Sequence, residues 1–332
     1  MKITKPAYFD SFRCIASACP DSCCKEWDVQ VDTVSAEYYR NLPGPLGDRL
    51  RETLYDEEDQ TYLAITDGRC PMWRADGLCR IQAELGEEAL CKTCREFPRL
   101  THDYGDFVEL GLELSCPEAA RIILSAPAVP SVTEEVPGGE LPEYDAEAME
   151  VLQRTRKIML SLLSDTRRPV SEVFALSFLY GCQAQSELDG EETHPFDAEA
   201  ALDTARELAK PGNLAHVAEF FLSLEILTPQ WRQRLAQLSP VPLTDAFRPL
   251  ARYFVERYWL QAVSDYDLYC RVKFLFLSCL LIAGLRGNLT ETAQLYSKEI
   301  ENNTANVEAL LDAAYAHPAF TDDKLLGMLL SL

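Results

Sequence analysis

From residue 145 onward, apolar side chains return at intervals of three and four, the spacing that lines one face of a helix. Val151, Thr155, Ile158 and Leu162 mark the first such face, and Pro169 and Asp197 stand where later helices open. Further helices are expected over 247–263, 266–285, 290–301 and 307–316. No strand-like alternation interrupts this half, which predicts an α-helical bundle of roughly seven to nine helices. The first 125 residues follow another rule. Short runs at 27–32 and 106–115 alternate with period two, as strands do. Gly68, Gly77, Gly105, Pro71, Pro98 and Pro117 punctuate the runs. Helical pieces are expected at 36–41, 45–55, 81–91 and 117–125, with Pro117 suited to a first helical turn. Between the halves, residues 127–144 carry Pro127, Pro130, Pro137, Gly138, Gly139 and Pro142 without periodicity and read as a linker or long surface loop. A second acidic stretch at 186–195 is expected to be mobile. The fold class is therefore mainly α. A loop-rich cysteine module with a little β covers 1–125, a linker 126–145 and a helical domain 146–332.

Length and composition agree with this division. A chain of 332 residues exceeds what one hydrophobic core usually organises, and 47% apolar residues are ample for packed interiors. The formal charge of −22 changes the picture of partners. Residues 1–125 carry 14 Lys/Arg against 23 Asp/Glu, and the remainder 17 against 30, so neither half offers a basic pole to a phosphate backbone. Nucleic acid is excluded on that ground, while a cationic partner would be drawn in. The commoner meaning of such a surface is solubility. Residues 1–20 lack the apolar run of a secretory signal. The most apolar stretch, 274–285, lies between Lys273 and Arg286, is too short to cross a bilayer and reads as a buried helix. A cytoplasmic protein with no membrane partner is the expectation.

Twelve cysteines in a reducing compartment are not a disulfide framework. Nine of them crowd the first half: Cys14, Cys19, Cys23 and Cys24, then Cys70, Cys79, Cys91 and Cys94, then Cys116. Spacings of two to four intervening residues let a tight loop aim two thiolates at one centre. Lys25, Arg80, Lys92 and Arg95 stand beside them and favour the thiolate form. His102 is the one histidine of this half, so a metal site here is essentially all sulfur, which suits zinc or an iron–sulfur cluster. Eight or nine thiols suffice for two four-coordinate sites, or for one site plus redox or packing cysteines. Cys182, Cys270 and Cys279 sit in apolar helical surroundings and read as packing residues.

These residues reach a family. Phe12-Arg13-Cys14, Cys19, Cys23-Cys24-Lys25 and Trp27-Asp28 resemble the opening of the flagellin lysine N-methylase family. So do Cys70-Pro71-Met72, the run Gly77-Leu78-Cys79-Arg80-Ile81-Gln82 with Glu84-Leu85-Gly86, and Cys91, Cys94-Arg95 with Phe97-Pro98-Arg99. Leu114-Ser115-Cys116-Pro117-Glu118-Ala119-Ala120-Arg121 resembles it as well, and Tyr253-Phe254, Tyr258, Tyr266 and Arg271-Val272-Lys273-Phe274 extend the likeness weakly into the helical half. The cysteines alone also resemble a zinc- or iron-chelating family with a CxxCxxCC signature, although Cys14 to Cys24 are more widely spaced than that name implies. The helical half is shorter than expected of an enterobacterial member. The resemblance implies methyl transfer from S-adenosylmethionine to lysine ε-amines of a protein such as flagellin, with a [4Fe–4S] cluster. A cluster iron left free by three-cysteine ligation would hold S-adenosylmethionine by its amino and carboxylate groups. No glycine-rich dinucleotide-type motif follows a strand, and no strict C-x3-C-x2-C loop of radical enzymes is present.

Lysine methylation needs a neutral amine, so acidic or phenolic side chains and partial desolvation would assist. Tyr253, Arg257, Tyr258, Tyr266, Tyr269 and Arg271 form an aromatic–cationic stretch that suits this role, and Tyr258, Arg257 and Arg271 are the candidate cofactor-binding residues. Core aromatics with snorkelling arginines are the competing account. Glu113 and Glu118 flank Cys116 and read as surface acids; His194, His216 and His317 are scattered. A non-catalytic zinc- or iron-binding protein, or a redox sensor, is the alternative function.

Overall fold

A computed structural model describes residues 1–23 and 29–331 of the chain. Cys24, Lys25, Trp27 and Asp28 of the sequence motif lie outside the described residues. Two compact units emerge: one comprises Met1–Asp10, Thr101–Ser115 and Ala120–Leu332, the other Ser11–Leu100 and Cys116–Ala119.

In the smaller unit, β2 (Val29–Val31), β3 (Leu54–Glu57) and β4 (Gln60–Leu63) form an antiparallel sheet in the order β2-β4-β3. A two-residue loop joins β3 to β4, with Glu58 and Asp59 both at positive φ (47° and 64°) and Glu57 opposite Gln60. That is the backbone of a type I′ hairpin, built here without the glycine or asparagine that normally announces it. Val29, Val31 and Leu63 point from one face into a core with Tyr39, Leu50, Met72 and Ile81. The helix Thr33–Asn41 opens at Asp32, whose carboxylate accepts from the Ser35 amide, an N-cap that meets an otherwise orphaned donor. Its neighbour Gly44–Thr53 follows a two-residue connection.

A second sheet, in the larger unit but for the first two residues of β5, has the order β5-β6-β1-β7, with β1 at Lys2–Lys5, β5 at Arg99–Asp103, β6 at Phe107–Leu112 and β7 at Val132–Glu135. β1 runs parallel to β6, Ile3 opposite Val108, and antiparallel to β7, Ile3 opposite Glu134. β7 falls in the stretch read as linker or surface loop. It is exposed throughout, so no alternation marks it in sequence.

Beyond residue 145 the described residues contain ten α-helices, more than the seven to nine expected. The surplus comes from short helices such as Leu214–Ser223 and Pro229–Ala236, each too brief for a repeating apolar stripe. The centre is Leu268–Gly284, buried on every side, which explains why its sequence is apolar all round. It packs on Val170–Leu188 and Thr304–Ala316. A Cβ on Gly181 would fall 2.5 Å from Val272 Cγ1, so glycine is what allows the first of these approaches. Phe276 meets Phe174 edge-on at 5.5 Å in the same layer. Among the described residues, no helix is long and apolar enough to cross a membrane.

Candidate functional site

The smaller unit gathers the cysteines. Cys91 caps the five-residue helix Lys92–Glu96, and Cys94 lies within it. Asp32 fixes this loop: its Oδ1 caps Thr33–Asn41 while its Oδ2 accepts from the Lys92 amide at 2.8 Å. Burial alone would raise the Asp32 carboxyl, but the amides of Lys92 and Ser35 outweigh it and keep it below its ordinary value. Tyr39 OH donates to Ala89 O at 2.7 Å and pins the preceding turn. Cys79 caps the helix Arg80–Leu85 and sits opposite Trp73 in a short antiparallel bridge, closed at its tip by Gly77 at φ 80°. Cys70 and Cys91 are buried in the unit's core, and Cys79 and Cys94 pack against it.

The thiols perturb one another. A hydrogen bond with Cys94 lowers Cys91 below its ordinary range despite burial, and the same bond, with burial, raises Cys94 well above it. Cys79 acts on both, and so draws the three into one electrostatic neighbourhood. Cys19 is raised by burial, with Cys14 and Cys23 adding to it. Burial pushes Cys116 up to about 12, opposed by the Ala119 and Glu118 amides and reinforced by Cys19 and Cys23. Cys23 also acts on Cys94, linking the first cluster to the Cys91–Cys94 loop. All eight described cysteines of the first half thus converge on this unit; Cys24 lies outside the described residues. Deprotonation of several neighbouring thiols is costly without a cation, which is the condition a thiophilic metal relieves. The donor chemistry therefore fits zinc or an iron–sulfur centre. Among the described residues, however, no three His, Cys, Asp or Glu side chains stand already arranged to hold a metal ion. An open pocket of about 130 Å³ borders Cys19, Asp21, Ser22, Trp73 and Gly77. Trp73 Nε1 is buried with no hydrogen-bond partner among the described residues, while Arg69 covers its ring at 4.4 Å.

The remaining cysteines are elsewhere. Cys270 and Cys279 are buried in Leu268–Gly284 and Cys182 lies in Val170–Leu188; burial pushes Cys270 and Cys182 each up to about 12.

The aromatic–cationic residues divide in two. Tyr253, Arg257 and Tyr258, on the helix Arg248–Tyr258, converge on Glu301. Tyr258 OH donates to Glu301 Oε1 at 2.8 Å, Tyr253 OH to the same oxygen at 3.0 Å, and Arg257 Nη1 stands 3.2 Å from it. Arg257 Nη1 also donates to Tyr253 OH at 2.5 Å, and its Nη2 lies 3.9 Å from Glu113 Oε1. Burial would lower Arg257, but Glu301 and the phenols hold its proton firmly. Arg271 has other partners: its guanidinium pairs with Asp265 at 2.8 and 2.9 Å and donates to the Asp267 carbonyl. Tyr269 OH donates to Asp322, and Tyr266 OH to Asp145. Arg257 and Tyr258 therefore share a site at Glu301, whereas Arg271 is engaged by Asp265 and the Asp267 carbonyl.

Glu301 escaped the sequence reading. It ends a π-helical turn, Ser297–Glu301, that interrupts the regular i,i+4 ladder and turns two acids, Glu299 and Glu301, inward. Glu113 is not a surface acid: its side chain is 13% exposed, and burial raises its carboxyl against the pull of Arg257.

No family model matches the chain, and no solved structure matches it. Among curated proteins, the flagellar biosynthetic protein FliU of Salmonella muenchen is 33% identical over 140 residues, 40% of this chain and 83% of that protein. The lysine-N-methylases of Salmonella typhimurium and Salmonella choleraesuis are each 33% identical over 144 residues, again 40% of this chain. The chain spans only 35% of the length of those methylases. By its match to most of FliU, the chain belongs, as a distant member, to the family of FliU and the lysine-N-methylases.

Proposed function

We propose that this chain transfers methyl groups from S-adenosylmethionine to lysine ε-amines of a protein substrate, flagellin being the leading candidate. The observation that carries this reading is the match to lysine-N-methylase, at 33% identity over 144 residues. The gathering of Cys14, Cys19, Cys23, Cys70, Cys79, Cys91, Cys94 and Cys116 in one small unit supports the accompanying assignment of a [4Fe–4S] cluster. These residues, with Cys24, would supply the thiolates. The cluster's chemistry would be to bind the methyl donor by its amino and carboxylate groups. The protein's own part is to hold thiols together through the Asp32 and Tyr39 clamps, so that metal binding orders loops already close to their final course.

The test is anaerobic purification with iron, sulfide and zinc analysis, followed by mass spectrometry of flagellin incubated with protein and S-adenosylmethionine. Brown protein containing iron and sulfide, together with additions of 14 Da per methyl group on lysine, is the expected result. Stoichiometric zinc without iron would replace the cluster by a structural site. Cluster and methyl donor both bound, with no lysine modified, would favour the non-catalytic metal-binding reading.

A further inference from the structure

We propose that the ionic cluster of Glu113, Arg257 and Glu301, with Tyr253, Tyr258 and His102, receives a primary ammonium group, the ε-ammonium of a lysine side chain. The inference rests on the lysine-modifying reading for the identity of its ligand, but the site itself is drawn from the larger unit's geometry.

The first argument is charge. Two carboxylates face one guanidinium, and Glu301 takes the larger share of the compensation: two phenol hydrogen bonds and the close ion pair with Arg257 Nη1 at 3.2 Å. Glu113 lies 3.9 Å from Arg257, outside hydrogen-bond range, and its other side-chain neighbour, the Ser115 hydroxyl, brings a hydrogen bond but no charge. A carboxylate so loosely paired in a largely desolvated place leaves surplus negative charge, which is costly until a cation with N–H donors arrives. The second argument is access. Glu301's side chain is 0% exposed, whereas those of Arg257 and Glu113 keep 12% and 13%, so an incoming group meets Glu113 first. The third is an unfilled acceptor. His102 Nε2 is buried and has no hydrogen-bond partner among the described residues, and Arg257 is the charge that acts on it most strongly. A neutral imidazole there can accept one ammonium N–H while Glu113 accepts another. The rings of Tyr253 and Tyr258 already flank a cation, with the Arg257 guanidinium carbon 5.9 and 5.2 Å from their centroids.

The experiment is calorimetric titration of the full chain with a short lysine-containing peptide and with its ε-acetylated counterpart. Acetylation, or Glu113→Gln in the protein, should each weaken binding by roughly tenfold or more, the scale of losing a charge-assisted contact. Glu113→Asp should recover part of it, and the exposed Glu308→Gln should change nothing. Should Glu113→Gln fail to fold, carbodiimide coupling on the unaltered chain reports independently. The peptide amine should form its amide at Glu113, read by peptide mass mapping. Equal affinity of folded Glu113→Gln and the parent chain, or coupling confined to other carboxyls, overturns the site. Glu113-dependent binding without methyl incorporation supports the site and rejects the enzyme. Undiminished methylation by Glu113→Gln rejects the site and keeps the enzyme.

Discussion

Arg156 grips Glu109 with two hydrogen bonds, Nη1 to Oε2 at 2.8 Å and Nη2 to Oε1 at 2.6 Å. The pair fastens the helix Ala146–Leu163 to strand β6, and both side chains are mostly shielded, at 17% and 12% exposure. A forked guanidinium matches a carboxylate in a way that a lysine ammonium cannot. Arg156→Ala should therefore cost about 3–5 kcal/mol, because it strands Glu109 in a desolvated place. Arg156→Lys should recover only part of that. Replacing both partners, Arg156→Met with Glu109→Gln, should cost less than Arg156→Ala alone. Urea-unfolding midpoints of the four proteins decide the matter; a double variant less stable than Arg156→Ala would contradict the argument.

The cysteines should separate by role. Serine at Cys14, Cys23, Cys91 or Cys94 is expected to lower bound metal and, with it, the solubility of the smaller unit, since those thiols share one electrostatic neighbourhood. Serine at Cys182 or Cys279 should leave metal content unchanged, because both sit among packed helices of the larger unit. Metal and sulfide analysis after anaerobic purification distinguishes the two groups. Equal loss from both would show that thiols of the helical bundle ligate.

What the sequence discloses here depends on how locally each feature is encoded. The helix Pro117–Ser125 is found at its expected bounds, because proline in the first turn is a local signal. Asp197 is likewise an N-cap, accepting from the Glu199 and Ala200 amides. The β3–β4 hairpin is hidden because Glu58 and Asp59 take positive φ without the usual residues. Strands β1 and β7 are four residues each, β7 exposed throughout and β1 half-buried without a fully buried residue, so neither has a buried face to alternate against. The crowding of nine cysteines before residue 117 is visible in composition alone, and the eight described ones lie in one compact unit. Glu301 does not declare itself: in an unbroken α-helix the run Lys298-Glu299-Ile300-Glu301 reads as a polar face, and only the π turn aims it inward. Glu113, just past β6 between Leu112 and Leu114, is likewise a buried acid, standing beside Arg257 from a helix far along the chain.

His102 ties stability to pH. Burial, then the charges of Arg257 and Arg156 against that of Glu109, lower its pKa from the ordinary 6.5. In the unfolded chain the ring protonates as pH falls through about 6.5, while the folded protein resists, so the unfolded state binds the extra proton and stability falls with falling pH. Thermal unfolding followed from pH 7.5 down to about 5 should show this decline. His102→Gln should flatten part of it. The same slope in the parent and in His102→Gln would mean that His102 titrates alike in both states.

The charge of −22 bears on substrate capture. If the chain acts on lysine-bearing proteins, its field should accelerate encounter with a cationic surface, and kcat/KM measures that encounter. Screening becomes substantial beyond about 8 Å at physiological ionic strength, so kcat/KM should fall as salt rises. Turnover at saturating substrate should change far less, because attraction at a distance speeds association without altering the bound complex. Mass-spectrometric methyl incorporation into flagellin across a salt series supplies both quantities, with controls lacking S-adenosylmethionine or using protein stripped of metal. Glu113→Gln gives the contrast. Losing a contact in the bound complex should lower kcat/KM at every salt concentration and leave the slope of its logarithm against ionic strength nearly unchanged. A kcat/KM that does not respond to salt would remove long-range steering while leaving methyl transfer, and the contact at Glu113, to stand on their own tests.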